Sequence, residues 1–149
     1  ESPEEVVGLC GRLGIRRVQL HGDEPAGNAA RIGLWRIKAV HAEAPVDFEA
    51  LADYPCEAFL VDAGGPGGYG GTGRTLSWEG LSERFARLGK PWILAGGLTP
   101  ENVGRAIAAA KPSGVDTASG VESSPGRKDP DKVRAFIENA RAGFEHAKR

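Results

Sequence analysis

The chain has no methionine, only two cysteines, 7% aromatic residues and no apolar run approaching membrane-spanning length. Each scarcity excludes something. Without a methionine, Glu1 is not expected to be an encoded start. Cys10 and Cys56 lack paired or metal-ligand spacing, so no disulfide framework is expected and the thiols point to a reducing, cytoplasmic setting. The missing apolar run, with no signal-peptide pattern, speaks against a membrane partner. A formal net charge of -1 gives no general field for nucleic acid or an anionic lipid surface. What remains is 149 residues of ordinary soluble composition, the length of one domain with a sizeable core.

Glycine is abundant, and the chain is organised around one glycine-rich stretch, residues 58–78. It begins as a short apolar run, Ala58-Phe59-Leu60-Val61, of the kind that fills a buried parallel strand. The run ends on Asp62, and seven glycines then fall between Gly64 and Gly73. A carboxylate at the C-terminal end of a buried strand, facing a glycine loop, is where α/β sheets place their chemistry. The plainer alternative is a solvated strand-terminal aspartate before a linker.

In chain order, helix and strand alternate. Ser2-Pro3-Glu4-Glu5 is a capping box with proline at the first helical position, and Val6, Leu9, Cys10 and Leu13 share one face before Gly14. Strands are expected at 15–20, 35–40, 58–61, 91–95 and 114–118. Helices are expected at 24–32, from Asp47 to Leu51, from a Ser77 cap to about Leu88, from Thr99-Pro100-Glu101-Asn102 to about Ala110, and after Asp129-Pro130. The last carries Val133, Phe136, Ile137, Ala140 and Phe144 as its apolar stripe. This alternation gives a parallel α/β sheet. The strand repeat of about 24 residues makes the chain roughly five-eighths of an eightfold barrel. An open flavodoxin-like sheet fits the length equally well, and pattern alone leaves both open.

Four strand ends carry candidate chemistry: His21, Asp62, Gly96-Gly97, and Ser119-Gly120. Parallel strands end on one face, so a barrel gathers all four on one rim. Glycine pairs after successive late strands let backbone N–H groups approach an anion, and barrels commonly bind phosphate there. Each of these positions also has a plain structural use, as a tight turn or a backbone-satisfied histidine.

VQLHGDE at 18–24, FLVDAGG with GGTG and SW at 59–78, LAGGLTPENV at 94–103 and GVDTASGVESSPGRKD at 114–129 resemble the phosphoribosylanthranilate isomerase family, in register across essentially the whole chain. The resemblance implies a partial (β/α)8 TIM barrel. It implies an Amadori rearrangement in tryptophan biosynthesis that converts phosphoribosylanthranilate to the carboxyphenylamino-deoxyribulose phosphate, with no metal or cofactor and a small sugar phosphate as partner. On the family pattern Asp62 is the general acid that protonates the ribose ring oxygen. Gly96, Gly97, Ser119 and Gly120 match phosphate-binding loops, and His21 and Asp116 match polar positions lining the site. A carboxyl group in a closed apolar site can hold its proton near neutral pH, which suits that role.

One departure is large. Family members begin with a strand carrying KICG, whose cysteine is the general base, and hold the substrate carboxylate with an arginine after the second strand. Neither segment is found in residues 1–149, which open at what looks like the helix after strand three. Cys10 on an outer helix and Cys56 ahead of its strand are not placed to substitute. The expectation is therefore the C-terminal five-eighths of one phosphate-binding barrel domain, lacking strands one to three. As a truncated chain it is expected to be inactive and to need those strands, or a pairing partner, for closure. Two alternatives stay open: a non-catalytic phosphate-binding or assembly module, and a related barrel enzyme with another substrate.

Overall fold

The computed structural model describes residues 1–42, 46–63 and 78–147. The glycine-rich segment after Ala63 and the expected Ser77 cap lie outside the described residues. α1 (Pro3–Leu13) starts in a full capping box, with Glu5 N–H donating to the Ser2 hydroxyl at 3.3 Å and Ser2 N–H donating to the Glu5 carboxylate at 2.7 Å. There follow β1 (Arg17–Leu20), α2 (Ala26–Arg31), β2 (Trp35–His41), α3 (Phe48–Ala52), β3 (Ala58–Asp62), α4 (Leu81–Ala86), β4 (Trp92–Ala95), α5 (Val103–Ala110) and β5 (Gly114–Val115). A 3-10 turn (Ser119–Val121), a hairpin of β6 (Glu122–Ser124) and β7 (Arg127–Lys128), and α6 (Pro130–His146) complete the order.

The first five strands form one sheet in the order β1-β2-β3-β4-β5, every neighbouring pair parallel. Each strand lies beside its chain neighbour, without the reversal that a flavodoxin-like sheet requires. The core agrees. Phe59 and Val61 of β3 and Trp92 and Leu94 of β4 pack with helix residues Phe85, Val103, Ile107 and Phe136. Their alternates, with Ile37, Ala39, Leu60 and Ala95 in contact, form a second cluster to which no helix contributes. Among the described residues, helices therefore cover one face only. This single winding is barrel topology, and it decides the choice that periodicity left open.

Several local expectations change. β2 runs on to His41 and β3 to Asp62, whereas β5 keeps only Gly114–Val115. α4 begins at Leu81, after Gly80 in the left-handed region at φ 88°. α5 begins at Val103 rather than at Thr99, because the Asn102 side chain turns back onto the preceding loop instead of capping. The α1 stripe is only half used. Cys10 is buried, but Leu9 and Leu13 are exposed, because α1 flanks the edge strand and packs on one side alone. Ile137 of the α6 stripe is likewise exposed, while Phe136 and Ala140 are buried. The β6–β7 hairpin has no counterpart in the sequence reading.

The rim opposite Asp62 is tied by charge. Arg36, near the start of β2, donates from Nη2 to Glu57 at 2.6 Å and from Nη1 to the Ala29 carbonyl at 2.9 Å, joining α2, β2 and the approach to β3. The Arg36 side chain holds the Glu57 carboxyl below its ordinary value of 4.5. A lowered carboxyl stabilises the fold above that ordinary value, and the contribution is lost as pH falls through the folded one. Glu57 is 35% exposed, so after solvent screening Glu57→Gln is expected to cost about 1 kcal/mol near neutral pH. In urea unfolding, the midpoints of wild type and variant should converge as pH is lowered through the carboxylate range. Midpoints that stay equally far apart would overturn this assignment.

Candidate active site

The C-terminal ends of the strands make one rim, and register decides who meets whom. His41 of β2 pairs with Asp62 of β3, and Asp62 pairs with Ala95 of β4. Registered neighbours in parallel strands point to the same face. Val61 lies in the helix-side core and Leu60 in the helix-free cluster, so Asp62, two residues after Leu60, stands on the helix-free face. His41 and Ala95 stand with it. The ladder continues just past the strands, with Ala42 N–H donating to the Asp62 carbonyl and Ala63 N–H to the Ala95 carbonyl, both at 2.9 Å. This holds the half-buried Asp62 in a fixed backbone frame.

His21 follows Leu20 of the helix-side core, and its ring lies 5.7 Å from that of His41, the two planes 49° apart. Asp116 follows Val115, also of the helix-side core, and its N–H donates to the Leu94 carbonyl at 2.9 Å. His21, Asp62 and Asp116 thus share one rim of one face. His41 belongs beside them and was missed. The alternation Ile37, Ala39, His41 carries the signal, but the strand was ended one residue early.

A second missed residue shapes the loop after His21. Lys38 is buried within β2 and donates to the Gly22 carbonyl and, at 2.7 Å, to Glu24. The Tyr54 hydroxyl donates to the Glu24 carbonyl at 3.0 Å. Burial by itself would raise the Glu24 carboxyl, but the Lys38 ammonium, its own backbone and the Gly22 N–H outweigh it and hold it below the ordinary range. Burial, reinforced by the Glu24 charge, pushes the Tyr54 phenol up to about 12. A lysine set between Ile37 and Ala39 within a strand was the available clue.

Further along the rim, the loops after β4 and β5 interlock. Gly96 and Gly97 sit at φ 91° and 62°, a region that glycine alone enters freely. Asn102 donates to the Gly97 carbonyl at 3.0 Å and accepts the Thr99 N–H at 2.8 Å, holding that turn open. The Thr117 hydroxyl donates to the Leu98 carbonyl at 2.6 Å, and Gly120 backs onto the same carbonyl. From below, Lys128 donates to the Ala118 carbonyl at 2.8 Å and to Glu122 at 2.7 Å, anchoring the turn that contains Ser119 and Gly120. The four glycine and serine positions singled out in the sequence thereby lie on two loops tied to each other.

The cysteines lie elsewhere. Cys10 is buried in α1, and Cys56 precedes β3 at the rim away from Asp62, where burial pushes its thiol up. Among the described residues no group of three or more histidine, cysteine, aspartate or glutamate side chains is arranged to hold a metal ion. Nor is any described helix long and apolar enough to cross a membrane.

Comparison with known proteins points one way. The family model described as N-(5'phosphoribosyl)anthranilate (PRA) isomerase matches residues 1–139. The N-(5'-phosphoribosyl)anthranilate isomerase of Trichlorobacter lovleyi is 45% identical over 141 residues, covering 95% of this chain and 68% of the relative. That of Magnetococcus marinus is 46% identical over 133 residues, covering 89% and 62%. The chain spans about two thirds of the length of these relatives. Among solved structures, the phosphoribosyl anthranilate isomerase of Thermotoga maritima superposes with a TM-score of 0.80 at 38% identity, over 95% of this chain and 69% of that one. A family structure in complex with reduced 1-(o-carboxyphenylamino)-1-deoxyribulose 5-phosphate superposes with a TM-score of 0.78 at 34% identity, over 95% and 68%.

Proposed function

The chain belongs to the N-(5'-phosphoribosyl)anthranilate isomerase family, and from that premise we propose that it carries the acid and the phosphate loops of an isomerase of tryptophan biosynthesis. The observation that carries this reading is the rim itself. A strand-end carboxylate, registered between His41 and Ala95 on the helix-free face, is followed along the sheet by two interlocked glycine loops.

The chemistry then follows. Backbone N–H groups of Gly96, Gly97, Ser119 and Gly120 hold the substrate phosphate at one end of the rim. Asp62 gives its proton to the ribose ring oxygen as the C1–O bond breaks, and the anthranilate nitrogen lone pair forms the C1=N bond. A base then takes the proton from C2, the electrons of that C–H bond moving to make the enamine. Tautomerisation to the ketone completes an isomerisation that neither adds nor removes electrons. His21, His41 and Asp116 line the path of the sugar and the aromatic ring.

In this reading the five strands occupy positions four to eight of the barrel. The strands that close it between β5 and β1 supply the base and the carboxylate clamp. Cys10 and Cys56 are both buried, one in an outer helix and the other at the far rim, and neither serves as that base.

The polypeptide of residues 1–149, assayed by itself, is therefore expected to leave the fluorescence decay of phosphoribosylanthranilate at its uncatalysed rate. General base catalysis is worth about 10²–10⁴-fold, and substrate positioning is lost with it. Mixing with a fragment that carries the first three strands of a family member should restore turnover. Turnover by the 1–149 polypeptide alone would overturn the division of labour. An inert but folded, co-eluting mixture would favour a non-catalytic module.

A further inference from the structure

One hydrogen bond on the rim is not used by the reaction outlined above. Gln19 and His21 are two residues apart at the end of β1, so both stand on the helix-free face. The Gln19 amide nitrogen Nε2 lies 3.0 Å from His21 Nδ1. An amide nitrogen carries two hydrogens and accepts nothing, so this contact is a bond only if Gln19 donates and Nδ1 accepts. A neutral imidazole that accepts at one nitrogen carries its hydrogen on the other.

We propose that Gln19 is a positioning residue that locks His21 in the Nε2–H form, so that His21 meets the substrate as a hydrogen-bond donor. The identity of that substrate rests on the isomerase reading; the state of the ring does not. Two consequences follow for the site. Nδ1 is occupied by Gln19, which leaves Nε2 as the nitrogen a ligand can reach. Because Nε2 already bears hydrogen, neutral His21 cannot take the C2 proton there and is not the missing base. It instead presents N–H to an acceptor, and the sugar hydroxyls and the anthranilate carboxylate supply oxygens of that kind.

The chain contains three histidines, so a histidine-selective 15N label reports on each of them. The third supplies an internal standard of the opposite kind. His146 Nδ1 lies 2.7 Å from the Ala142 carbonyl, which can only accept, so His146 carries its hydrogen on Nδ1. Long-range proton–nitrogen correlation at about pH 8, above the ordinary imidazole range, should show His21 with hydrogen on Nε2 and His146 with hydrogen on Nδ1. Assignment follows from single His→Gln variants. In Gln19→Glu the new carboxylate only accepts, so the His21 pattern should switch to that of His146 while His146 itself stays unchanged. In Gln19→Leu both His21 forms should appear.

A wild-type His21 with its hydrogen on Nδ1 would mean that Gln19 presents its carbonyl, and the proposal would fail. So would a His21 pattern indifferent to both substitutions. In a closed, active barrel Gln19→Glu should raise KM by about two- to tenfold, the range of one hydrogen bond, with kcat much less affected. An unchanged KM would remove the donor role of His21. The spectra test the ring state whether or not the isomerase reading stands, so the two can fail separately.

Discussion

Asp62→Asn, introduced into a closed barrel carrying this chain, is expected to lower turnover by about 10²–10⁴-fold, equivalent to roughly 3–5 kcal/mol of transition-state stabilisation. Asparagine keeps nearly the shape of aspartate but has no carboxylic proton to give to the ring oxygen. The frame around position 62 is main-chain: the register with His41 and Ala95, and the bond from Ala42 N–H to the residue 62 carbonyl. These main-chain bonds survive the substitution, and asparagine keeps polar atoms where the carboxylate stood. Folding and phosphate affinity should therefore be little changed, and the loss should fall on kcat. Steady-state kinetics of the complemented enzyme check this. Turnover within about threefold of the parent, well short of the general-acid range, would assign the proton to another group.

Gly120→Ala should be nearly as damaging, for a steric rather than a chemical reason. A Cβ built at position 120 would stand 1.8 Å from the Leu98 carbonyl oxygen and 2.9 Å from its carbon. Both atoms are backbone, so no side-chain rotation relieves the clash, and the Thr117 hydroxyl already occupies another side of the same carbonyl at 2.6 Å. The loop after β5 must then withdraw from the loop after β4, pulling apart the two halves of the proposed phosphate site. A misplacement of the order of 1 Å costs about 10²-fold, so kcat/KM should fall by about that factor, chiefly through KM. Overpacking of this kind also costs about 1–3 kcal/mol of stability. Gly33→Ala is the control, because a Cβ there meets nothing within 4 Å. Normal phosphate affinity in Gly120→Ala would move the anion site away from these loops.

The two predictions differ in how much of their basis the sequence displays. Asp62 is legible by itself: an apolar four-residue run, a carboxylate, then glycines. Gly120 is visible only as a glycine after a strand. That it must be glycine depends on Leu98, whose carbonyl approaches from another loop. Asn102 was misread for a similar reason. Thr99-Pro100-Glu101-Asn102 has the residues of a helix start, but the amide side chain is drawn to the Gly97 carbonyl and the Thr99 N–H, and the helix waits until Val103. Lys38 stands between Ile37 and Ala39 in β2, and its use is not written there. Its purpose, holding the loop after His21 through Gly22 and Glu24, exists only once β1 and β2 lie side by side.

By itself the sequence determined the alternation of helix and strand, the caps at Ser2, Asp47 and Asp129, and the strand ends that bear His21, Asp62, Gly96 and Gly97. Those features are set by contacts between residues a few positions apart: cap hydrogen bonds, side-chain periodicity and the conformational range of glycine. The tertiary structure decided the single winding of the sheet, the choice of face, the entry of His41 into the rim, and the interlock of the loops at Leu98 and Gly120. Each of these depends on pairing between segments far apart in the chain. Register between two parallel strands is chosen by the whole pattern of buried side chains on both, and no single stretch of sequence contains that information.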